Sequence, residues 1–332
     1  MNITRRFIPF LVLMAYVLAT VVLIPWGPAK AGSGLVFVSN ERSSQLTVLD
    51  QTDTVIKQIK TCARPRGMRF TPDHTKIVVA CGSDNTIALY DVTTQKLIKR
   101  FRDIPDPETF DLHSNGHDLY VSNEDDSEAT LIDLETGQVK GHFPTGPEPE
   151  GVLVTPDGKT VFVASEAANL VHVIDVETQK VVKDIITATR PRRFALTPDG
   201  KELWVSCEMS GLVEIIDTAT LMETGRVEFQ PKGMRKEEVT PVDITMTASG
   251  KTLYVALGRA NHVAVVDIAK RSVSDYILVG KRPWGLRLTK DEKKLYVANG
   301  LSDDVSIIDT ASGKVLRSVS VGIVPYGILI DE

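Results

Sequence analysis

Residues 119–137 read LYVSNEDDSEATLIDLETG, two short hydrophobic segments joined and followed by polar turns. The segment from Leu119 to Asn123 alternates apolar and polar residues, which is typical of a half-buried β-strand. The second segment runs from Ala129 to Asp133 and leads into the turn Glu135-Thr136-Gly137, where Gly tolerates a positive φ. This stretch therefore predicts two adjacent antiparallel strands. Further strands are predicted over Gln138–Phe143 and Gly151–Thr155, which gives a unit of four.

The four-stranded unit recurs along the chain. Its first marker, the Asp that closes the second strand, stands at Asp50, Asp91, Asp133, Asp175, Asp217, Asp267 and Asp309, with spacings of 41, 42, 42, 42, 50 and 42 residues. A Pro that enters a strand recurs in step at Pro65, Pro107, Pro149, Pro191, Pro241, Pro283 and Pro325. A period of about 40 to 45 residues is typical of β-propeller blades. We therefore predict an all-β, seven-bladed propeller of four-stranded antiparallel blades.

The order of strands predicts how the ring closes. The strand after each recurring Pro should be the innermost of its blade, as in other propellers. The chain then begins with the second strand of a blade, and Gly327 to Asp331 supplies the missing inner strand of that blade. Closure by pairing of the N- and C-terminal strands follows. The marker Asp residues are expected to accept backbone N–H groups in their turns, a structural role.

Residues 1–31 are interpreted as a signal peptide, which leaves residues 32–332 as a single propeller domain. Arg5 and Arg6 precede an apolar run from Phe7 to Ile24, and Ala29-Lys30-Ala31 offers a small-x-small cleavage site. A retained membrane anchor is the alternative. We expect a periplasmic or secreted protein, with no membrane insertion after cleavage.

The net charge and the cysteine content exclude some classes of function. The formal charge of −5 becomes more negative without residues 1–31, which hold three cations and no acid, so nucleic acid is not an expected partner. No C-x-x-C-H sequence for haem attachment occurs. Cys81 and Cys207 lie at equivalent positions of units on nearly opposite sides of the ring and cannot pair. Two alternatives remain open, a Cys62–Cys81 disulfide or three unpaired thiols.

Strands such as Leu295-Tyr296-Val297-Ala298-Asn299 resemble those of the YVTN-repeat β-propellers over residues 36–332. Narrower similarity lies in residues 255–261 (VALGRAN), residues 190–194 (RPRRF) and residues 299–306 (NGLSDDVS). These segments are similar to the PQQ-dependent catabolism-associated β-propellers. That resemblance implies that the protein acts together with a PQQ-dependent dehydrogenase, a cytochrome c or ABC transporter components. It supplies no catalytic residue.

The residue after each recurring Pro should face one mouth of the central channel. In ring order these residues are Arg66, Glu108, Glu150, Arg192, Val242, Trp284 and Tyr326, and Asp243 adjoins this set. One arc is charged and the other is apolar and aromatic. Such a concave mouth suits a small amphipathic ligand or a partner side chain. Alternatively, Arg66–Glu108 and Glu150–Arg192 only neutralise each other between blades.

Two further sets of residues are weaker candidates for a functional site. Carboxylates follow the strand Leu119–Asn123 and its equivalents in several units, at the same face, and Glu41, Glu124, Glu166 and Glu208 are the weak candidates for a Ca²⁺ site. The six His residues form no shared ligand set, so no metal and no cofactor is assigned.

An insertion interrupts the repeat before Pro241. Between Phe229 and Pro241 the longer spacing reflects eight inserted residues. Lys232, Arg235 and Lys236 in this insertion are candidates for docking a partner, or else part of a neutral surface loop.

The preferred functional hypothesis is an exported, non-catalytic binding or assembly propeller in a PQQ-dependent alcohol oxidation system. It would act as a monomer through the channel mouth and the loop at residues 230–240. The alternatives are a propeller lactonase or hydrolase with a Glu-rich channel site, and a cofactor-binding redox subunit. A catalytic base needs a positioned carboxylate with a perturbed pKa, which sequence alone does not reveal.

Overall fold

A computed structural model describes residues 32–332. The predicted signal peptide, residues 1–31, lies outside the described residues and remains a prediction. Within the described part, no helix has both the length and the apolar character needed to cross a membrane. The described residues form seven four-stranded antiparallel sheets. The predicted all-β, seven-bladed propeller is therefore confirmed.

The strands are numbered in chain order and the blades in ring order. Blade 1 holds β28 (Pro325–Ile330), β1 (Val36–Asn40), β2 (Gln45–Leu49) and β3 (Val55–Lys60). Blade 2 holds β4 (Pro65–Phe70), β5 (Lys76–Cys81), β6 (Thr86–Asp91) and β7 (Leu97–Phe101). Blade 3 holds β8 (Pro107–Leu112), β9 (Asp118–Asn123), β10 (Glu128–Asp133) and β11 (Val139–Pro144). Blade 4 holds β12 (Pro149–Val154), β13 (Thr160–Ser165), β14 (Leu170–Asp175) and β15 (Lys180–Ile186).

The remaining blades follow the same plan. Blade 5 holds β16 (Pro191–Leu196), β17 (Glu202–Cys207), β18 (Leu212–Asp217) and β19 (Met222–Glu228). Blade 6 holds β20 (Ile244–Met246), β21 (Thr252–Ala256), β22 (His262–Asp267) and β23 (Ser272–Leu278). Blade 7 holds β24 (Pro283–Leu288), β25 (Lys294–Asn299), β26 (Asp304–Asp309) and β27 (Lys314–Ser320). Short 3₁₀ turns span Gly82–Asp84, Lys236–Glu238 and Gly258–Ala260.

The ring closes through blade 1, as the strand order predicts. The C-terminal strand β28 pairs antiparallel with β1, with Val36 opposite Ile330 and Phe37 opposite Leu329. Asp331 reinforces the join, because its carboxylate Oδ2 accepts hydrogen bonds from the backbone N and the hydroxyl of Ser33. The two ends of the propeller are thus held in one sheet.

The core lies between blades. The two middle strands of each blade are almost wholly buried, whereas the outermost strands β3, β7, β11, β15, β19, β23 and β27 are largely exposed. One hydrophobic cluster joins Trp204 of blade 5 to Val255 and Ala264 of blade 6. Each blade therefore buries its apolar faces against its neighbours, as expected of a repeat fold.

The marker Asp residues have the predicted structural role. Asp133 Oδ1 accepts hydrogen bonds from the backbone N of Glu135 and Thr136, at 3.0 and 2.8 Å. The markers at Asp50, Asp91, Asp175, Asp217, Asp267 and Asp309 cap their turns in the same way. The hydrogen bonds from Thr178 hold the pKa of the Asp175 carboxyl below its ordinary value.

The insertion before Pro241 changes blade 6 locally. Its inner strand β20 starts at Ile244, whereas the inner strands of the other blades start at the recurring Pro. Val239 is buried in the blade 5–blade 6 cluster, and the backbone N of Gln230 donates to Tyr276 Oη at 2.8 Å. The insertion is thus attached to blade 6 by both apolar and polar contacts.

A disulfide joins Cys62 to Cys81, with a Cα–Cα distance of 5.7 Å. It ties the loop before β4 to the end of β5 in blade 2. Cys207 is a buried free thiol, and burial raises its pKa well above the ordinary value. That thiol is therefore not activated as a nucleophile.

Candidate functional site

The mouth of the channel is formed by the turns that lead into the inner strands. The residue before the recurring Pro has a positive φ at Arg64, Asp106, Glu148, Arg190, Arg282 and Val324. Such a conformation is uncommon outside Gly and is strained for the β-branched Val324. Arg190 and Arg192, one on each side of Pro191, both reach Glu166 and Glu208. The turn thus presents two successive charged side chains to the same mouth.

Glu150 lies at the centre of the charged arc. Its Oε1 is 2.7 Å from Arg193 Nη2, 3.1 Å from Arg192 Nη2 and 3.4 Å from Arg66 Nη2. Tyr326 Oη donates a hydrogen bond to the same oxygen at 2.9 Å. Burial opposes ionisation of Glu150, but the three guanidinium groups outweigh it and hold its pKa well below the ordinary value. Glu150 is therefore a buried anion that joins blades 1, 2, 4 and 5.

The first arginine pair, Arg64 and Arg66, occupies the blade 1–blade 3 side of the mouth. Arg66 Nη2 lies 2.6 Å from Glu108 Oε2, and its Nη1 lies 3.1 Å from Glu41 Oε1. Arg64 also contacts Glu108. Burial, with a contribution from Glu150, raises the pKa of Glu108 well above its ordinary value, although Arg66 opposes the shift. Glu108 and Glu150, which are neighbours in ring order, are thus driven to opposite protonation preferences.

The second pair, Arg190 and Arg192, bridges the carboxylates on the blade 4–blade 5 side. Arg192 Nη1 lies 2.6 Å from Glu166 Oε1 and 2.9 Å from Glu208 Oε2, so two buried carboxylates meet at one nitrogen. Burial, aided by the charge of Glu150, raises the pKa of Glu166 to about 8 even though Arg192 opposes the shift. A carboxyl with such a pKa is able to give or take a proton near neutrality.

Trp284 and Tyr326 form the aromatic arc opposite these acids. Their ring centroids lie 5.9 Å apart. The guanidinium carbons of Arg282 and Arg192 lie 4.6 and 5.3 Å from the Trp284 ring, within cation–π range. Gly300 gives this ring its space, because a Cβ there would overlap the indole. Trp284 thus stands between two arginines at the edge of the acid cluster, and Val242, the remaining member of this arc, is buried.

The side chains of the mouth are largely buried. Arg66, Glu108, Glu150, Arg192, Val242 and Tyr326 are all buried, and Trp284 is half-buried. The predicted ion pairs between neighbouring blades, Arg66–Glu108 and Glu150–Arg192, are present. The side chains also reach beyond adjacent blades, as in Arg66–Glu150, which sequence spacing does not reveal. The charged residues therefore form one connected network.

The channel contains an open cavity of about 340 Å³. Trp284, Tyr326 and Arg193 are among its lining residues, together with Asp243 and Arg287. Asp243 was singled out from the sequence as a binding residue. Its carboxylate accepts the backbone N–H of Ile244 at 3.0 Å and that of Leu286 at 2.8 Å, so it connects blades 6 and 7.

The four weak metal candidates do not meet in one place. Glu41 and Glu124 lie on the Arg64 side of the mouth, whereas Glu166 and Glu208 lie on the Arg192 side. One acid cluster has suitable spacing, since oxygens of Asp106, Glu108 and Glu124 lie within 4.8 Å of one another. Arg64 contacts all three of these acids. A guanidinium among the acids supplies the positive charge that a cation would otherwise bring.

Blade 4 contains a Ser-His-Asp arrangement that the sequence reasoning missed. His172 Nε2 lies 3.0 Å from Ser165 Oγ, and its Nδ1 lies 2.6 Å from Asp184 Oδ1. These geometries match those of a hydrolase triad. However, Ser165 is 0% exposed, and blade 7 places Asn299, Ser306 and Ser318 in the same hydrogen-bonded positions. The arrangement therefore has a structural role, because its hydrogen bonds connect neighbouring strands within a blade.

The insertion holds its charged candidates away from this network. Lys232, Arg235 and Lys236 are exposed, and Arg235 pairs locally with Glu237 and Glu238, at 3.4 and 3.1 Å. No contact joins these three residues to the mouth side chains within residues 32–332. A role for them in docking remains a prediction.

Comparison with known proteins identifies relatives of the fold and of the sequence. A family model described as "Lactonase, 7-bladed beta-propeller" matches residues 139–227 and 187–329. The structure is similar to the periplasmic gluconolactonase of Pseudomonas aeruginosa, with a TM-score of 0.76 and 20% identity over 90% of this chain and 99% of that one. No curated protein sequence gave a significant match.

Other solved propellers are equally similar. Kuenenia stuttgartiensis hydrazine synthase has a TM-score of 0.76 and 21% identity over 90% of this chain and 99% of that one. A Bacteroides fragilis chain assigned as a 6-phosphogluconolactonase has a TM-score of 0.75 and 18% identity over 92% of this chain and 100% of that one. At these identities the structural matches establish the fold alone.

The preferred sequence hypothesis, a non-catalytic assembly propeller of a PQQ-dependent oxidation system, is wrong. The family model that matches from residue 139 to residue 329 is that of lactonases. The repeat pattern and the charged residues predicted where the channel mouth lies. They did not reveal which of its acids are protonated, because that depends on contacts between distant blades. The alternative hypothesis of a propeller lactonase is the one that the comparisons support.

Proposed function

Because the chain belongs to the seven-bladed β-propeller lactonase family, we propose that it hydrolyses a lactone at the channel mouth. The observation that carries the assignment to this site is the meeting of Glu166 and Glu208 on Nη1 of Arg192, beside the exposed part of Trp284. Lactone hydrolysis needs a polarised carbonyl, an activated water and a proton for the departing ring oxygen. The site offers a group for each.

The arginines would polarise the carbonyl. Arg192 and Arg282 both lie against the Trp284 ring, so a lactone bound beside this ring would direct its carbonyl oxygen to a guanidinium. Charge that develops on this oxygen is stabilised most strongly by donors fixed in advance in a dry site. Arg192 is fixed in this way, because Glu150, Glu166 and Glu208 hold it from three sides.

The two carboxyl groups would share the proton transfers. A water attacks the carbonyl carbon and gives its proton to Glu208, and the ring C–O bond then breaks. Glu166, whose pKa near 8 favours the protonated form at neutrality, gives its proton to the departing alkoxide. The products are a hydroxyl and a carboxylic acid. Ionisation of that acid and proton exchange with solvent restore both glutamates.

The test is lactone hydrolysis followed with a pH indicator above the spontaneous rate. The probes are glucono-δ-lactone and 6-phosphogluconolactone, chosen because relatives of this fold carry those names. We expect Glu166→Gln to lower kcat by roughly 10²–10⁴-fold, the usual contribution of general acid–base catalysis. The matched control is Glu223→Gln, which changes an exposed glutamate paired only with Arg226.

Two results would contradict the proposal. One is the absence of acceleration by the wild type on five- and six-membered lactones, including both probes. The other is an active enzyme whose kcat is unchanged in Glu166→Gln, which would retain the activity but move it away from this site.

A further inference from the structure

The outermost strands of blades 7, 1 and 2 differ from the others in charge. Strands β27, β3 and β7 carry Lys and Arg but no Asp or Glu. By contrast, β15 contains Asp184, β19 contains Glu223 and Glu228, and β23 contains Asp275. The lysine of β11, Lys140, is neutralised by Asp118 and Asp133, both at 2.7 Å. One side of the ring is therefore basic on a chain whose formal charge is −5.

The same three strands expose large apolar side chains. Ile56 on β3 is 53% exposed and Leu316 on β27 is 57% exposed. On β7, Leu97 and Ile98 are both about half exposed. Large apolar side chains are also exposed on β15, β19 and β23, for example Ile186 and Leu278, so it is the absence of acids that distinguishes β27, β3 and β7. Cations and exposed apolar groups are thus interleaved along one side of the molecule.

Four cations of this surface are free to act on a partner. Within residues 32–332, no ion pair involves Lys57, Lys60, Lys96 or Lys314, and all four side chains are exposed. Lys99 differs, because its Nζ donates to the backbone carbonyl oxygen of Glu135 at 2.9 Å. The unpaired ammonium groups are distributed over all three blades. We call the surface formed by β27, β3, β7 and the preceding Lys96 the basic edge.

The basic edge is continuous and adjoins the start of the described chain. Arg317 on β27 donates from Nη1 to the carbonyl oxygen of Thr52, in the turn before β3, at 3.1 Å. The neighbouring Gln51 donates from Nε2 to the carbonyl oxygen of Ser33 at 3.1 Å. The chain therefore enters the propeller beside this edge, and the sequence upstream is apolar from Phe7 to Ile24.

We propose that the basic edge binds the surface of an anionic lipid bilayer. Exposed Ile and Leu side chains gain free energy in the boundary between headgroups and acyl chains, and Lys groups gain it from anionic headgroups. Both kinds of side chain are present on the same three strands.

A bilayer bound to the basic edge would not cover the channel mouth. Inner strands start at the mouth, and β28 ends at Ile330, opposite Val36, at the other face. Ser33 contacts Asp331 at that other face. A bilayer against the outer strands near Ser33 thus leaves the mouth free for a soluble ligand. This inference does not depend on the lactonase assignment.

The experiment measures partitioning onto large vesicles by co-sedimentation. Protein is purified from cells that express the full chain, in the form that accumulates. Vesicles contain phosphatidylcholine alone or with phosphatidylglycerol at about 30 mol%, and we expect at least tenfold stronger partitioning onto the anionic vesicles, falling with salt. Each basic group near an anionic surface contributes roughly fivefold. Lys57→Glu combined with Lys314→Glu should therefore lose at least tenfold.

The matched control reverses two lysines on the other side of the ring, Lys180→Glu with Lys183→Glu on β15. It carries the same net charge, so partitioning close to that of the wild type is expected only if the basic edge makes the contact. Any retained N-terminal segment is common to all variants. Equal binding to both vesicle types, or equal losses in the two variants, would overturn the proposal. Unchanged binding of Lys57→Glu/Lys314→Glu would also overturn it, because the lysines of the basic edge would then make no contact with the bilayer.

Discussion

Tyr326 Oη donates a hydrogen bond to Glu150 Oε1 at 2.9 Å, although the two residues are 176 positions apart in the sequence. The contact crosses the channel axis from blade 1 to blade 4. Arg66 Nη2 donates to the same hydroxyl at 3.1 Å. The mouth is therefore lined by a network that depends on correct assembly of the whole ring, and substitutions there should affect both stability and chemistry.

Arg192→Ala should destabilise the protein strongly. The change removes the one guanidinium that contacts Glu150, Glu166 and Glu208 together, and loss of one partner of a buried ion pair costs about 3–5 kcal/mol. The measurement is urea unfolding, compared with Arg226→Ala. Arg226 is about half exposed and pairs mainly with Glu223, so its removal should cost about 0.5 kcal/mol or less. Equal losses for the two variants would show that the mouth network is solvated.

Glu166 should make the stability depend on pH. Its folded-state pKa of about 8 lies above the ordinary value of 4.5, so the stabilisation that it contributes is complete below pH 4.5 and is lost as the pH rises through about 8. We expect the Tm of the wild type to fall relative to that of Glu166→Gln between about pH 5 and pH 9. A constant difference between the two proteins over this range would contradict the raised pKa.

Ser165→Ala should leave lactone hydrolysis almost unchanged and lower stability. Ser165 is buried, and its hydroxyl contacts His172 Nε2 and the carbonyl oxygen of Gly146. A buried hydrogen-bonding group left without its partner costs about 1–3 kcal/mol. The readouts are kcat together with the unfolding midpoint. A loss of kcat by several orders of magnitude in a folded variant would identify Ser165 as a nucleophile and displace Glu166 from the proposed mechanism.

Deletion of residues 325–332 should abolish cooperative folding. This segment contains β28, the inner strand of blade 1, and its loss exposes the unpaired edge of β1 and opens the ring. Circular dichroism during heating checks the prediction. A control truncation that removes only Glu332 should melt like the wild type, whereas an unchanged midpoint of the long deletion would refute closure by β28.

Calcium should not stabilise the wild type. Arg64 contacts Asp106, Glu108 and Glu124, the acids whose spacing would suit a metal ion. A ligand that binds only the native state raises Tm with its concentration. We expect the same Tm in EDTA and in excess Ca²⁺, and a calcium-dependent increase only when Arg64→Gln removes the competing guanidinium. A clear increase in the wild type would favour a metal site.

The repeat pattern was sufficient to predict the propeller, because each blade repeats the same local strand and turn chemistry. Asp133 and its six equivalents have the predicted capping role. The face on which Glu150 and Tyr326 lie was also predicted from their positions after Pro149 and Pro325. Their direct contact was not, since it depends on side chains that extend across the axis.

The chemistry of the mouth was harder to predict for the same reason. Glu166 ranked only as a weak metal candidate, because sequence position gives no measure of its burial or of its approach to Arg192. The Ser165–His172–Asp184 arrangement was missed because its members lie on three different strands. A search for polar residues at matching positions of neighbouring strands would have found it, together with the equivalent Asn299, Ser306 and Ser318 of blade 7.

The join between β1 and β28 also has a practical consequence. Ser33 and Asp331 are hydrogen-bonded at the face opposite the channel mouth, so both ends of the propeller emerge on that side. An affinity tag or surface linker attached at either end would keep the mouth accessible. A linker that connects the two ends directly would be short, so circularly permuted chains with new termini in an exposed turn, such as the one at Gly233, are feasible.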